Sequence, residues 1–213
     1  MNEKVTEYVY KILFVGDAGT GKTSIIRRHV HGLFSENYKA TIGVDFAVKC
    51  VGIDETSIAK LQLWDIAGQE RFGSMSKVYY NGAVGAVIVF DVTTYRTFDT
   101  VDRWRDNLMA NMFGDDDERA KRFPIVVFGN KSDLVDCELN AEEIEQSFID
   151  RGYNGFELTS AKRNMGIDDG LRKLVELIPR QQTLAIQRKT EVPPLILSTP
   201  RSYDSDSDDD CRC

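Results

Sequence analysis

The chain has 213 residues, of which 42% are hydrophobic, and it carries a formal net charge of −7 at pH 7. This length favours one well-buried domain with a tail over two ordinary domains. The acidic balance excludes a diffuse attraction to the phosphate backbone of nucleic acid, so we expect no nucleic-acid partner and only a small nucleotide as ligand.

The cysteines and the start of the chain indicate a reducing compartment. Cys50 and Cys137 are isolated, and Cys211 and Cys213 stand at the extreme end, which is not the pattern of a disulfide framework. The first residues lack the apolar core of a signal peptide, Asn2 stands where myristoylation needs a glycine, and no apolar run approaches transmembrane length. We therefore expect a cytosolic domain.

The first elements along the chain are a strand, a glycine-rich loop and a helix. Residues 8–15 predict a buried strand, and residues 24–33 predict a helix with its apolar side chains on roughly one side. Between them, residues 16–23 read GDAGTGKT, the G-x-x-x-x-G-K-[ST] pattern in its required context. The helix N-terminus favours an anion, Lys22 supplies a charge to the terminal phosphates, and Thr23 can ligate the accompanying Mg²⁺. The pattern predicts a phosphate-binding loop, and the alternative is a glycine turn with a surface lysine.

The two histidines of the first helix are not expected to bind a metal. His29 and His31 lie among polar residues, with no carboxylate or thiol at the spacing of a ligand set. We therefore expect solvated side chains and no zinc ligated by the protein.

Alternating and apolar runs predict the remaining strands. Residues 44–49 and 60–64 alternate on either side of a turn near residues 53–55, which predicts a hairpin and hence an antiparallel edge. Apolar runs predict three buried parallel strands, at residues 83–90, 125–128 and 156–158. Helices are predicted at residues 97–112, 141–150 and 168–178. The alternation predicts a three-layer α/β fold with a mostly parallel six-stranded sheet, one antiparallel edge strand and helices on both faces.

Two stretches are assigned no chemistry. Residues 114–118 are expected to be an acidic surface loop between a helix and a strand. Beyond residue 179 the apolar periodicity fades, and prolines followed by serines and aspartates predict a flexible tail over residues 181–213. The folded domain is expected to span residues 8–180, after an N-terminal extension of residues 1–7.

A second motif, at the carboxyl end of another predicted strand, selects the base. Residues 130–133 read Asn-Lys-Ser-Asp, and Asp133 can accept from guanine N1–H and the 2-amino group, two donors that adenine lacks. Residues 159–162, Thr-Ser-Ala-Lys, can close the base pocket with a backbone N–H, which we assign to Ala161. The alternative for residues 130–133 is a surface turn. Together with the glycine loop they predict a guanine nucleotide.

These motifs, in this order, resemble those of the Ras superfamily of small GTPases over about residues 8–180, which implies the P-loop GTPase fold. The resemblance implies that Thr41 meets Mg²⁺ and the γ-phosphate and that Phe34 packs against the base. It also implies that Asp65 holds Mg²⁺ through water, that the Gly68 N–H meets the γ-phosphate and that Gln69 orients the attacking water. The implied metal ligands are Thr23, Thr41 and Asp65, and the implied catalytic residues are Gln69, Lys22 and Thr41. The implied nucleotide contacts are Ala18, Gly19, Gly21, Lys22, Thr23, Ser24, Phe34, Thr41, Gly68, Asn130, Lys131, Asp133, Ser160, Ala161 and Lys162.

Within the superfamily the chain is similar to Rab proteins. Residues 42–46, the pair Arg71-Phe72 and the terminal Cys211-Arg212-Cys213 match Rab patterns, the last as a prenylation site. The resemblance implies a monomer that prenyl groups attach to a membrane. Its implied partners are an exchange factor, a GTPase-activating protein, a GDP dissociation inhibitor, a Rab escort protein and effectors. Effector contacts are implied for Phe46, Trp64 and Tyr79, and the alternative for these aromatic residues is ordinary core packing.

Residues 31–47 and Ile66 further resemble the Rab branch of lysosome-related organelles. This implies a role in their biogenesis, in the cytosol and on the cytoplasmic face of a lysosomal or lysosome-related membrane. Ala18 and Ile66 depart from the family pattern. Ala18 places a methyl near the attacking water, and Ile66 removes a hydroxyl beside Asp65. They leave open a nucleotide-locked binding module that hardly turns over. A soluble nuclear-transport GTPase is a further alternative, against which the terminal cysteines argue.

Overall fold

The computed structural model describes residues 6–37, 39–68, 77–134, 141–178 and 185–187. The strands in these ranges are β1 (Thr6–Val15), β2 (Val44–Asp54), β3 (Ser57–Ile66), β4 (Gly85–Asp91), β5 (Ile125–Asn130), β6 (Phe156–Leu158) and β7 (Ala185–Gln187). The helices are α1 (Lys22–His31), α2 (Tyr95–Phe98), α3 (Val101–Phe113), α4 (Asp117–Lys121), α5 (Ala141–Asp150) and α6 (Ile167–Leu177). Within the same ranges, no helix combines the length and the apolar character needed to cross a membrane.

The strands form one sheet in the order β2-β3-β1-β4-β5-β6, with β7 paired to β1. β1 is parallel to β3 and β4, and β5 is parallel to β4 and β6. β2 and β3 form an antiparallel hairpin. The predicted α/β fold, with its mostly parallel sheet and one antiparallel edge strand, is confirmed.

Alternate residues of β1 belong to two different hydrophobic clusters. Ile12 and Phe14 pack in the cluster that contains α1 and α6, whereas Leu13 and Val15 pack in the cluster that contains α3 and α5. Successive side chains of a strand point to opposite faces, so both faces of the sheet are covered by helices. The carboxyl ends of the parallel strands therefore remain the edge at which loops can form a site.

Two predictions about local structure were wrong. The single helix expected at residues 97–112 is two helices, because Thr100 donates its hydroxyl to the Thr97 carbonyl at 2.9 Å and the chain turns between Phe98 and Val101. The acidic loop expected at residues 114–118 contains the start of α4. There the Asp116 carboxylate accepts from the Arg119 N–H, which satisfies a free donor of the first turn.

The chain beyond residue 180 was predicted to be a tail, yet Ala185–Gln187 form β7. This strand pairs antiparallel with β1 over Thr6 to Tyr8, whereas β4 pairs with β1 only between Ile12 and Val15. β7 thus supplies hydrogen-bond partners to a part of β1 that the register of β4 does not reach. The rest of the predicted tail, including Cys211 and Cys213, lies outside the described residues.

His29 was expected to be solvated and is instead buried, with 6% of its surface exposed. Its Nδ1 lies 2.6 Å from Oδ1 of Asp168 at the start of α6, and Lys49 of β2 donates to its carbonyl at 2.5 Å. No local pattern around His29 indicates this burial, because Asp168 is 139 residues away. His31 is exposed, as expected.

Candidate nucleotide-binding site

A cavity of about 1040 Å³ opens at the carboxyl edge of the sheet. The glycine loop after β1, the segment before β2, the end of β3 and the loops after β5 and β6 all contribute to its wall. Most of the predicted site residues line it, namely Ala18, Gly19, Gly21, Lys22, Thr23, Ser24, Phe34, Thr41, Asp65, Gly68, Asn130, Lys131, Asp133, Ala161 and Lys162. Ser160 is fully buried behind Asp133, and Gln69 lies outside the described residues.

Lys22 is buried and folds back over the glycine loop. Its ammonium donates to the carbonyls of Gly16 at 2.8 Å and Asp17 at 2.9 Å. Burial lowers the pKa of Lys22 to about 8, although the charges of Asp65 and Asp17 raise it. A phosphate in the cavity would favour the charged form, since an opposite charge nearby raises the pKa of an amine. Lys22 is therefore a cation held ready for an anionic ligand.

Three oxygen-bearing side chains meet beside Lys22. The Thr23 hydroxyl donates to Oδ2 of Asp65 at 2.5 Å and lies 2.7 Å from the Thr41 hydroxyl, which is itself 3.3 Å from Oδ2. Burial raises the pKa of Asp65, against the lowering effect of the Thr23 hydrogen bond and the Lys22 charge. Oδ1 of Asp65 is buried and accepts no hydrogen bond from any residue that the structure describes. Two hydroxyls and a buried carboxylate oxygen without a hydrogen-bond partner among the described residues fit a hard divalent cation such as Mg²⁺.

Gly68 brings the end of the β3 segment against the glycine loop. A Cβ at Gly68 would lie 2.2 Å from the Ala18 nitrogen, so only glycine permits this approach of two backbones. Ile66 is fully buried and belongs to the cluster with α3 and α5, so its side chain packs in the core and does not line the cavity. The methyl of Ala18, in contrast, is at the cavity wall.

Asn130 joins the two ends of the cavity. Its buried amide nitrogen donates to the Thr20 carbonyl in the glycine loop at 2.8 Å. Its Oδ1 accepts from the Ala161 N–H at 3.2 Å and lies 3.3 Å from the Thr159 hydroxyl. The Ala161 N–H, which we assigned to the base, is thus paired with Asn130 in this structure.

The side chains predicted to read the base are held by residues at or just after the carboxyl ends of the flanking strands. Asp133 accepts from the Ser160 hydroxyl at 2.6 Å, which orients its carboxylate. Lys131 has a positive φ of 67° and pairs with Asp91 at 2.6 Å. Burial raises the pKa of Asp91, but the hydrogen bonds from Lys131 and Thr93 outweigh it and leave that pKa below its ordinary value.

Sequence analysis missed two of these supporting residues. Asp91 could have been found, because it is a carboxylate at the carboxyl end of a strand next to β5. Trp104 of α3 could not, because its indole N–H donates to Oδ1 of the buried Asp17, 87 residues away, at 2.8 Å. Its place on a predicted helix gives no local sign of this contact.

Two of the three predicted effector residues lie side by side on the β2-β3 hairpin. Phe46 is directly opposite Trp64, and their rings stack with centroids 5.6 Å apart. Phe46 is 59% exposed, and the Lys11 ammonium lies 3.9 Å from the Trp64 ring centroid. Tyr79 is 37% exposed. Arg71 and Phe72, which also match Rab patterns, lie outside the described residues.

Comparison with known proteins decides the family. The profile of the Ras family matches residues 11–180. Over 179 residues the chain is 50% identical to the Ras-related protein Rab-32A of Dictyostelium discoideum, covering 83% of this chain and 81% of that protein. This chain is a Rab-family small GTPase.

Two further Ras-related proteins are similar to this GTPase over most of its length. The Ras-related protein Rab-32 of Mus musculus is 45% identical over 179 residues, which covers 83% of this chain and 79% of that protein. The Ras-related protein Rab-7L1 of Homo sapiens is 40% identical over 177 residues, covering 83% and 86% respectively. As a member of this family the chain is a GTP-hydrolysing switch of membrane trafficking.

Proposed function

We propose that this Rab GTPase binds GTP or GDP with Mg²⁺ in the cavity at the carboxyl edge of its sheet. In the GTP form it would recruit effectors to the cytoplasmic face of a lysosome-related organelle. The supporting observation is that three chemistries converge in one cavity of about 1040 Å³. The buried ammonium of Lys22 suits phosphate, and the oriented carboxylate of Asp133 suits guanine. The buried Asp65 oxygen, which has no partner in the described part of the chain, suits a divalent cation.

The residues of the chain divide the work of binding among them. Lys22 exchanges its two carbonyl acceptors for phosphate oxygens, while the N–H groups of the glycine loop contact the other oxygens. Thr23, Thr41 and Asp65 would hold Mg²⁺, which would supply positive charge beside the phosphate oxygens. Phosphoryl transfer then depends mostly on positioning, which we assign to Gln69 for the attacking water and to Lys22 and Thr41 for the γ-phosphate.

The switch follows from the same contacts. Thr41 and the N–H of Gly68 belong to two segments that the γ-phosphate would hold together, and hydrolysis would release them. The effector surface of Phe46 and Trp64 begins only five residues after Thr41 along the chain, so order in that segment reaches the surface directly. An exposed aromatic side chain such as Phe46 suits a protein partner.

The membrane assignment rests on the end of the chain. We propose prenyl groups on Cys211 and Cys213, since one lipid chain binds only marginally and the aspartates just before the cysteines would be repelled by an anionic leaflet. A Rab escort protein and a GDP dissociation inhibitor would handle the lipidated form.

The organelle is inferred from the resemblance of residues 31–47 and Ile66 to one Rab branch. Localisation of tagged parent and of a Cys211→Ser, Cys213→Ser variant in intact cells tests both points, and a variant that stays on membranes would contradict the lipid anchor.

The nucleotide assignment is tested by Asp133→Asn. An amide NH₂ can donate where xanthine offers a carbonyl, so the variant should bind xanthine nucleotides better than guanine nucleotides, the reverse of the parent. Asp169→Asn, an exposed carboxylate on α6, is the matched control and should keep the parent's preference. Equal GTP affinity of parent and Asp133→Asn would refute the role of Asp133.

A slowly hydrolysing, nucleotide-locked module is the second candidate. Its support is the close approach of Gly68 to Ala18. Ala18, which departs from the family pattern, therefore lies next to a segment that would contact the γ-phosphate. Single-turnover hydrolysis with and without a GTPase-activating protein separates the two readings. A cycling switch is accelerated by the activating protein and loses this acceleration in Gln69→Leu, whereas a locked module shows no acceleration in the parent.

A further inference from the structure

Arg28 of α1 holds three backbone carbonyls with one guanidinium. Its Nε donates to Ala161 at 2.8 Å, its Nη2 to Lys162 at 3.1 Å and its Nη1 to Gly32 at 2.6 Å. Only arginine presents several donors in a rigid planar fork, so one side chain can fix several acceptors at once. Arg28 therefore connects the end of α1 to a loop more than 130 residues away.

That loop is the base-closing loop, which we define as residues 160–162. Its other side is held by the residues that read the base, because Ser160 donates to Asp133 at 2.6 Å and the Ala161 N–H donates to Asn130 at 3.2 Å. The base-closing loop is thus fixed between Arg28 and the Asn-Lys-Ser-Asp motif. The ion pair of Lys162 with Glu36 adds little, since both side chains are exposed.

Arg28 also reaches the start of the segment that leads to Thr41. Gly32 caps α1, with its N–H donating to the Arg28 carbonyl at 2.9 Å, and the Phe34 ring centroid lies 5.7 Å from the Arg28 guanidinium. That distance is within the range of a cation–π contact. One side chain therefore fixes both the base-closing loop and the first residues of the neighbouring segment, which are two walls of the same cavity.

We propose that Arg28 is a positioning residue that sets how long a guanine nucleotide stays bound, by holding the base-closing loop shut. The proposal rests on the proposed binding of GDP in this cavity. A base can leave only when the loop moves, and that movement breaks the hydrogen bonds from Arg28. The side chain touches no reacting atom and acts through the backbone of Ala161 and Lys162.

The test is the rate at which GDP leaves the full-length protein with Mg²⁺ present. Arg28→Ala should release GDP roughly tenfold faster or more, the change expected for loss of about 1.4 kcal/mol of hydrogen bonding. Arg28→Lys should fall between Ala and the parent, because an ammonium keeps the charge without the fork. Arg172→Ala is the control and should match the parent, because it removes an exposed arginine of α6 that forms a surface ion pair with Asp169.

A second readout separates positioning from general stability. GDP should be compared with inosine diphosphate, which lacks the 2-amino group that Asp133 would accept. If Arg28 acts through the base-closing loop, Arg28→Ala loosens the Ser160 contact of Asp133 and lowers the preference for GDP. An equal increase of both release rates, or GDP release in Arg28→Ala at the parent's rate, would overturn the proposal. A parent that binds no GDP would instead refute the proposed function itself.

Discussion

Replacement of Gly21 by alanine is expected to loosen the glycine loop for two separable reasons. Gly21 has a φ of 98°, a backbone conformation that costs an L residue about 1–2 kcal/mol. A Cβ at this position would also lie 2.2 Å from the side-chain nitrogen of Asn130. That nitrogen is buried and donates to the Thr20 carbonyl at 2.8 Å, so displacement of the amide would cost about 1–3 kcal/mol more. The free energy of unfolding should fall by about 2–5 kcal/mol in total.

Gly19→Ala is the matched control for this substitution. Gly19 has a φ of 80°, and a Cβ there meets no described atom within 4 Å. It should therefore show the backbone cost alone, about 1–2 kcal/mol. The difference between the two variants isolates the contact with Asn130.

Denaturant unfolding of the nucleotide-free protein measures this difference directly, and GDP release provides a functional readout. In an Asn130→Ala background the clash is gone, so Gly21→Ala should cost no more than Gly19→Ala does. Loss of the hydrogen bond from Asn130 to the Thr20 carbonyl should by itself make GDP leave Gly21→Ala about 5- to 150-fold faster than the parent. Equal unfolding free energies of Gly21→Ala and Gly19→Ala in the parent background would show that Asn130 does not hold the loop.

Three further outcomes follow from buried polar groups. Burial lowers the pKa of His29 despite its bond to Asp168, so the unfolded chain binds the proton more strongly and stability is lost as the pH falls below about 6.5. For one proton, that loss of unfolding free energy is at most about 1.4 kcal/mol per pH unit. Unfolding curves at several pH values should show a smaller loss for His29→Asn than for the parent. Trp104→Phe removes the donor to Asp17 and should cost about 1.5–3 kcal/mol in denaturant unfolding, whereas Trp64→Phe removes an indole N–H without a described partner and should cost far less. Asp65→Asn should make GDP release nearly insensitive to EDTA, while strong sensitivity in the variant would contradict the Mg²⁺ assignment.

The elements that sequence reasoning found are those with a strong periodic signal. All seven residues of β4 are buried, and the alternation of β3 between buried and half-buried positions is the pattern of a strand with one face in the core. The errors concern short elements. α4 has only five residues, which is too few helical turns to be recognised from periodicity. β7 depends on a pairing with Thr6–Tyr8 that no local pattern reveals.

The same distinction applies to the site. Lys22, Thr23 and Asp133 could be predicted because each lies in a motif whose chemistry is local to the chain. The prediction that His29 is solvated was wrong, because its burial beside Asp168 and Lys49 depends on the packing of α1 against α6 and β2. Polar residues are solvated by default in a sequence-based prediction, and only the fold can reverse that default.

The supporting contacts of the cavity share a chemical asymmetry that limits what a sequence can show. Lys22 donates to carbonyls of the glycine loop, Arg28 to carbonyls of the base-closing loop and Asn130 to the Thr20 carbonyl. In each pair the donor is a side chain that the sequence displays, whereas the acceptor is a backbone oxygen that every residue type possesses. A motif can therefore reveal which residues give hydrogen bonds but not where they give them. Because the two functional groups of the Asn130 amide bond to different loops, displacement of either loop weakens the support of the other, so the phosphate end and the base end of the cavity should loosen together.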